Sequence, residues 1–265
     1  MTPLQGGDTV RDKNDITETE VYSKQKHNWR TPTGPVAPGA LTCPICNTSA
    51  AQFLTFGMAN RPNAKCPTCG SLERHRFLWV FLQRRTDFFE DHKQVLHMAP
   101  DPALSSVFKT RHGAGYVCID AFDLQADVLG DLRNLPFKKN SFDRIICSHV
   151  LEHIQNDGLA INELVRVLSP GNWAVIMVPF NPERATIEAS PQMTPAQRKA
   201  AFGHPFHFRS YGYDLVERLE AAGLAAELFT SKTLLNAKQR RHWRINRNYL
   251  FFCRKVVGKK QFAQV

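Results

Sequence analysis

From about residue 94 onward, the apolar positions of this chain alternate between two spacings. Arg144 to Cys147 is a short, mostly apolar, β-branched run of the kind buried in a parallel sheet, and it ends abruptly in Ser148, His149, Glu152 and His153. Leu159, Ile161, Leu164, Val165 and Leu168 then recur at helical spacing. Ser169-Pro170-Gly171 should break that helix before a strand over 173–178, which completes a β-α-β unit. Further strands are predicted over 95–99, 116–119, 226–229 and 249–253, and a helix over 213–222 that Gly223 ends. An apolar helix through Phe77, Leu78, Val80, Phe81 and Leu82, with Ser71 as its expected cap, precedes the first of these strands. Such alternation predicts an α/β fold. Open sheets of this class bind ligands outside the carboxyl ends of their strands, so the SHVLEH segment stands where a reaction would occur.

The run FDRIICSHVLEHI followed by ELVRVLSPGNW resembles the class I S-adenosylmethionine (SAM) methyltransferases of the type 11 family, over about residues 94–255. The resemblance implies a Rossmann-like sheet of seven strands, one of them antiparallel, that binds SAM and transfers its methyl group. It places the cofactor at the end of the first strand, where His97, Ala99, Pro100 and Asp101 replace the usual glycine-rich loop and Asp101 would meet the ammonium group. A carboxylate at the end of the second strand can accept both ribose hydroxyls, which singles out Asp120. By the resemblance, Asp131 and Leu132 hold adenine and Ser148 borders the cofactor; a solvated turn is the other reading of Asp131.

His149, Glu152 and His153 are the expected catalytic residues. Their HxxEH spacing would place all three on one helical face within reach of one ion or substrate. Some relatives carry ExxEH here and hold a divalent metal beside the acceptor, whereas in others the histidine only lines the pocket. Both a second divalent metal at these residues and His149 as general base therefore stand as expectations. The proline-rich stretch 181–210 is expected to form a lid with a short helix over 195–201. The following segment resembles the H-x-R-x-Y-G of relatives, which makes His204, His207, Arg209 and Tyr211 candidate acceptor contacts; capping of the next helix is the structural alternative.

Cysteine spacing adds a second element. Cys43, Cys46, Cys66 and Cys69 form C-x2-C-x19-C-x2-C, the pattern of a four-thiolate zinc ribbon with one closed, structural Zn2+ per chain. Directly behind it, Arg74 and Arg76 face either an anionic substrate or solvent. The organisation expected is a mobile tail and linker over 1–40, the ribbon over 41–72, a connecting helix over 73–93, the methyltransferase domain over 94–256 and a basic tail over 257–265.

With 265 residues, 43% of them hydrophobic, the chain can bury a full α/β core and still carry the small module. No apolar run reaches the ~20 residues of a membrane span, and the cysteine usage suits a reducing compartment, so a cytoplasmic location is expected. The net charge is +10, with a run of basic residues and no acidic ones from Lys238 onward. Three functions follow: methylation of a small polar or anionic acceptor; methylation of RNA docked by the ribbon and basic stretch; or a non-catalytic zinc-ribbon binding module on a degenerate SAM fold.

Overall fold

The computed structural model describes residues 40–90 and 92–256; most of the expected tail and linker and all of the basic tail over 257–265 lie outside the described residues. Two short antiparallel hairpins come first, β1 (Leu41–Thr42) with β2 (Ser49–Ala50) and β3 (Leu54–Phe56) with β4 (Arg61–Lys65). Each cysteine pair sits in a turn of the same construction. The amide of Asn47 donates to the Cys43 carbonyl and that of Gly70 to the Cys66 carbonyl, both at 2.9 Å, with φ of 57° and 69°. Left-handed backbone at the fourth residue after the leading cysteine reverses the chain and leaves both sulfurs on one side, which suits Asn and Gly.

Helix α1 (Glu73–Arg85) then leads to the main sheet. Its strands are β5 (Val95–Met98), β6 (Tyr116–Asp120), β7 (Val128–Leu129), β8 (Phe142–Ser148), β9 (Leu168–Met177), β12 (Leu224–Thr230) and β13 (Tyr249–Lys255), in the spatial order β12-β13-β9-β8-β5-β6-β7. Strand β13 runs antiparallel to both its neighbours, and the other six strands share one direction. This is the seven-stranded, Rossmann-like sheet expected from the sequence. Phe77, Leu78 and Phe81 of α1 pack on one face with Leu104 and Phe108 of α2 (Pro102–His112). Ile161 and Leu164 of α3 (Asp157–Val167) and Leu215 and Leu219 of α5 (Leu215–Ala221) cover the other. The near-continuous apolar runs of β5 and β8 follow from burial on both faces.

One element differs from its expected form. Strand β9 begins at Leu168 rather than Trp173, because the Ser-Pro-Gly segment is absorbed as a register shift opposite Phe142 and Arg144, with Gly171 at φ 74°. The stretch beyond β9 carries β10 (Ile187–Glu188) paired with β11 (Arg209–Ser210), and helix α4 (Pro195–Phe202) between them. Its start is pressed against the main domain at Gly212, where an added Cβ would lie 2.0 Å from the Arg184 carbonyl oxygen. Two short helices, α6 (Ser231–Leu234) and α7 (Ala237–His242), fill the connection from β12 to β13.

Candidate active site and metal centre

The four cysteine sulfurs converge within 4.8 Å of one another. Cys43 Sγ lies 3.5 Å from Cys69 Sγ, and Cys46 Sγ lies 3.8 Å from Cys66 Sγ. Thiolates bound to one tetrahedral zinc at ~2.3 Å stand about 3.8 Å apart, so the cluster fits that ion. Contact with the Cys43 sulfur lowers the Cys46 thiol and raises the Cys69 thiol, a conflict among crowded sulfurs that a dication at their centre relieves. Ser71 was expected to cap α1. Instead Leu72 holds that position, and the buried Ser71 hydroxyl lies 3.3 Å from Cys43 Sγ and 3.2 Å from Cys69 Sγ, placed to donate to metal-bound thiolates.

Beside the same first turn of α1, where Arg74 and His75 lie, the sheet's carboxyl edge gathers the polar groups of the expected site. The HxxEH residues do not form one helical face. His149 takes a left-handed backbone, φ 58°, as β8 ends, and its amide donates to the Met177 carbonyl at 2.7 Å; a 3-10 turn over Leu151–His153 follows. That kink points His149 Nδ1 at Glu152 Oε1, 3.0 Å away. Glu152 is fully buried, and its other oxygen has no hydrogen-bond partner among the described residues. Burial pushes its carboxyl up, but the His149 hydrogen bond and the surrounding histidines outweigh this and hold it below the ordinary value. An ionised Glu152 accepts the Nδ1 proton of His149, leaving Nε2 as the free lone pair. Burial and the neighbouring Arg74 lower the His149 pKa against the pull of Glu152, so the ring is neutral at pH 7.

The cofactor residues separate into two groups. Ala99, at φ 43°, turns the chain after β5, and Pro100 and Asp101 follow, each half-buried. Asp101 caps α2 through Ala103, burial raises its pKa to about 6, and it lies 3.2 Å from His75 Nδ1. That nitrogen accepts from the Leu72 amide at 3.2 Å. Asp120 stands at the end of β6 with Oδ1 accepting from the Phe122 and Asp123 amides, which orients the second oxygen. The Ser148 hydroxyl is buried and has no partner among the described residues. The other expected cofactor residues have partners within the protein. His97 is buried in the core, bonded to the Tyr116 hydroxyl at 2.9 Å and packed on Phe108, because its alternation along β5 turns it to the face covered by α2. Leu132 is likewise a core residue, and the Asp131 carboxylate is engaged by Arg133 at 2.6 Å.

Three expected acceptor contacts are framework residues. The buried Arg76 guanidinium donates to the carbonyls of Ser71, Ala64, Trp243 and Arg244, fastening the cysteine hairpins to the segment before β13. Arg209 donates to the carbonyls of Leu151, Ile154 and Gln155 and to Glu188. Tyr211 is fully buried and donates its hydroxyl to Asp157 at 2.9 Å. Arg74 is different: it is half-buried, its Nε has no hydrogen-bond partner among the described residues, and it is electrostatically coupled to Asp101 and Glu152. The structure also separates the expected second metal set, since His153 groups with His204 and His207 rather than with His149 and Glu152.

Sheet order, the single antiparallel strand and a polar cluster at the strand ends define the architecture of a class I methyltransferase. Residues 82–176 match the family described as a methyltransferase domain, and the chain carries such a domain. Norajmaline N-methyltransferase of Rauvolfia serpentina is 39% identical over 49 residues, 18% of this chain, and the chain spans only 17% of that relative's length. Among solved structures, similar chains occur in the complex between the Haloferax volcanii Trm112 methyltransferase activator and a methyltransferase (13% identity, 70% of this chain and 97% of that one, TM-score 0.47). Another is phosphoethanolamine N-methyltransferase 2 of Haemonchus contortus (12% identity, 68% and 52%, TM-score 0.45). Among the described residues, no helix is long and apolar enough to cross a membrane.

Proposed function

We propose that this protein transfers the methyl group of SAM to a heteroatom of a small polar or anionic acceptor, with zinc held structurally by the four cysteines. The observation that carries the reading is the His149–Glu152 pair at the end of β8, beside the strand ends that would hold SAM. Asp120 would bind the ribose and Asp101 the ammonium group, while Arg74 supplies a cation to the cleft for the cofactor carboxylate or an anionic acceptor. The acceptor lone pair attacks the methyl carbon, the carbon–sulfur bond breaks with its electrons going to sulfur, and His149 Nε2 takes the acceptor proton. Glu152 stabilises the resulting imidazolium. Calorimetry with S-adenosylhomocysteine tests the cofactor assignment, and absence of binding would favour the non-catalytic module. A structure of that complex would define the acceptor class from the volume and charge facing the sulfur.

An RNA acceptor is the second reading, supported by a cleft of about 610 Å³ bordered by Arg84, Arg85, Arg144 and Arg254. The Arg144 guanidinium lies 4.9 Å from the Trp173 ring centre and that of Arg254 5.0 Å from Phe252. The cleft lies toward the start of β8, away from His149. Affinity for RNA that falls steeply with salt and is lost on Arg254→Glu would favour it.

A further inference from the structure

We propose that His153, His204 and His207 form a three-nitrogen site for a divalent transition metal, separate from the cysteine centre and open to a ligand. One donor atom from each lies within 4.8 Å of the others. The ring centres of His153 and His207 are 4.6 Å apart, those of His153 and His204 5.2 Å, and those of His204 and His207 4.8 Å. Three imidazole nitrogens on one tetrahedral ion at ~2.1 Å stand about 3.4 Å apart, so small ring rotations close the set.

The site is built from two distant segments held together by backbone and arginine hydrogen bonds. His153 ends the turn after β8, whereas His204 and His207 follow the left-handed cap of α4 at Gly203. The Phe208 amide donates to the Glu152 carbonyl at 2.8 Å, and Arg209 donates to the carbonyls of Leu151, Ile154 and Gln155 around that turn. Arg198 donates to the Pro205 carbonyl at 2.8 Å and stacks on Phe208, holding the loop from its other side. Arg209 is thus a positioning residue for the cluster.

The donor chemistry suits a borderline metal. His207 Nδ1 is buried and has no hydrogen-bond partner among the described residues. His204 Nδ1 accepts a long bond of 3.3 Å from the Phe206 amide, which metal binding through either ring nitrogen would replace. Three imidazole nitrogens select zinc, cobalt, nickel or iron over magnesium, and they leave coordination positions that no described side chain of the set fills. On the methyl-transfer reading, an acceptor oxygen or carboxylate would occupy such a position.

The test is a cobalt(II) titration of the zinc-free full chain, followed by visible absorption and metal analysis, with S-adenosylhomocysteine calorimetry on the same samples. Two equivalents are expected, one with strong thiolate-to-metal absorption and one without it. In the His204→Ala/His207→Ala double variant only the thiolate equivalent should remain, with S-adenosylhomocysteine affinity within about twofold of wild type. A single equivalent in the wild type, or a second equivalent that survives the double substitution, would overturn the site. Loss of cofactor binding in the wild type would count instead against the methyltransferase reading.

Discussion

The Arg76 guanidinium donates from Nε to the Trp243 carbonyl at 2.8 Å, joining positions 167 residues apart in the chain. Three further carbonyls depend on the same buried side chain, so Arg76→Ala should destabilise the protein by about 3 kcal/mol or more, as buried acceptors lose their donor. Denaturant unfolding measures this. A variant of unchanged stability and raised acceptor KM would return Arg76 to the binding site.

Zinc at the four cysteines is expected to be structural. Cys66→Ser should release about one equivalent and lower the melting temperature, because an opened tetrahedron no longer holds the hairpins. Ser71→Ala should weaken metal retention by roughly tenfold through loss of a hydroxyl near two sulfurs. Chelator competition on the purified chain reads both effects, and wild-type protein purified without zinc would refute the assignment.

For the cofactor, Asp120→Ala should weaken SAM binding by one to two orders of magnitude, about 1.5–3 kcal/mol for hydrogen bonds to a charged group. The variant also removes the acceptor for the Phe122 and Asp123 amides, so Asp120→Asn, which keeps an oxygen for that turn, separates loop support from ribose binding. Unchanged calorimetric affinity in both would remove the ribose assignment.

His149→Ala should leave SAM affinity nearly intact and lower turnover by about a hundredfold or more. The base works when deprotonated, and its pKa is lowered by burial and by Arg74, so the acid limb of the rate profile should fall below the ordinary histidine value of ~6.5. Glu152 pulls in the opposite direction by favouring the imidazolium. Its removal in Glu152→Gln should therefore move the limb to still lower pH while reducing the rate. A limb that rises instead would contradict the pairing.

The α/β class, the sheet and the place of the SHVLEH segment at a strand end were legible in residues 94–255, because apolar periodicity is imposed by burial and burial on both faces leaves near-continuous runs such as Val95–Met98 and Ile145–Cys147. The cysteine cluster was equally legible: a knuckle is local, and four residues suffice to orient two sulfurs. The roles of Arg76, Arg209 and Tyr211 were not, since their partners lie far along the chain. A guanidinium in solvent and one bonded to four buried carbonyls are written with the same letter.

His97 shows the same limit within one strand, where the side of the sheet that an alternating residue faces decided between cofactor and core. Within SHVLEH the sequence determined which groups are present at the end of β8. Only the left-handed turn at His149 and the return of the 204–209 loop decided their partners, pairing His149 with Glu152 and bringing His153 to His204 and His207. Short-range pattern carries burial and local turns because neighbouring residues enforce them, while a site assembled from distant loops is set by packing and long-range hydrogen bonds that no local spacing records.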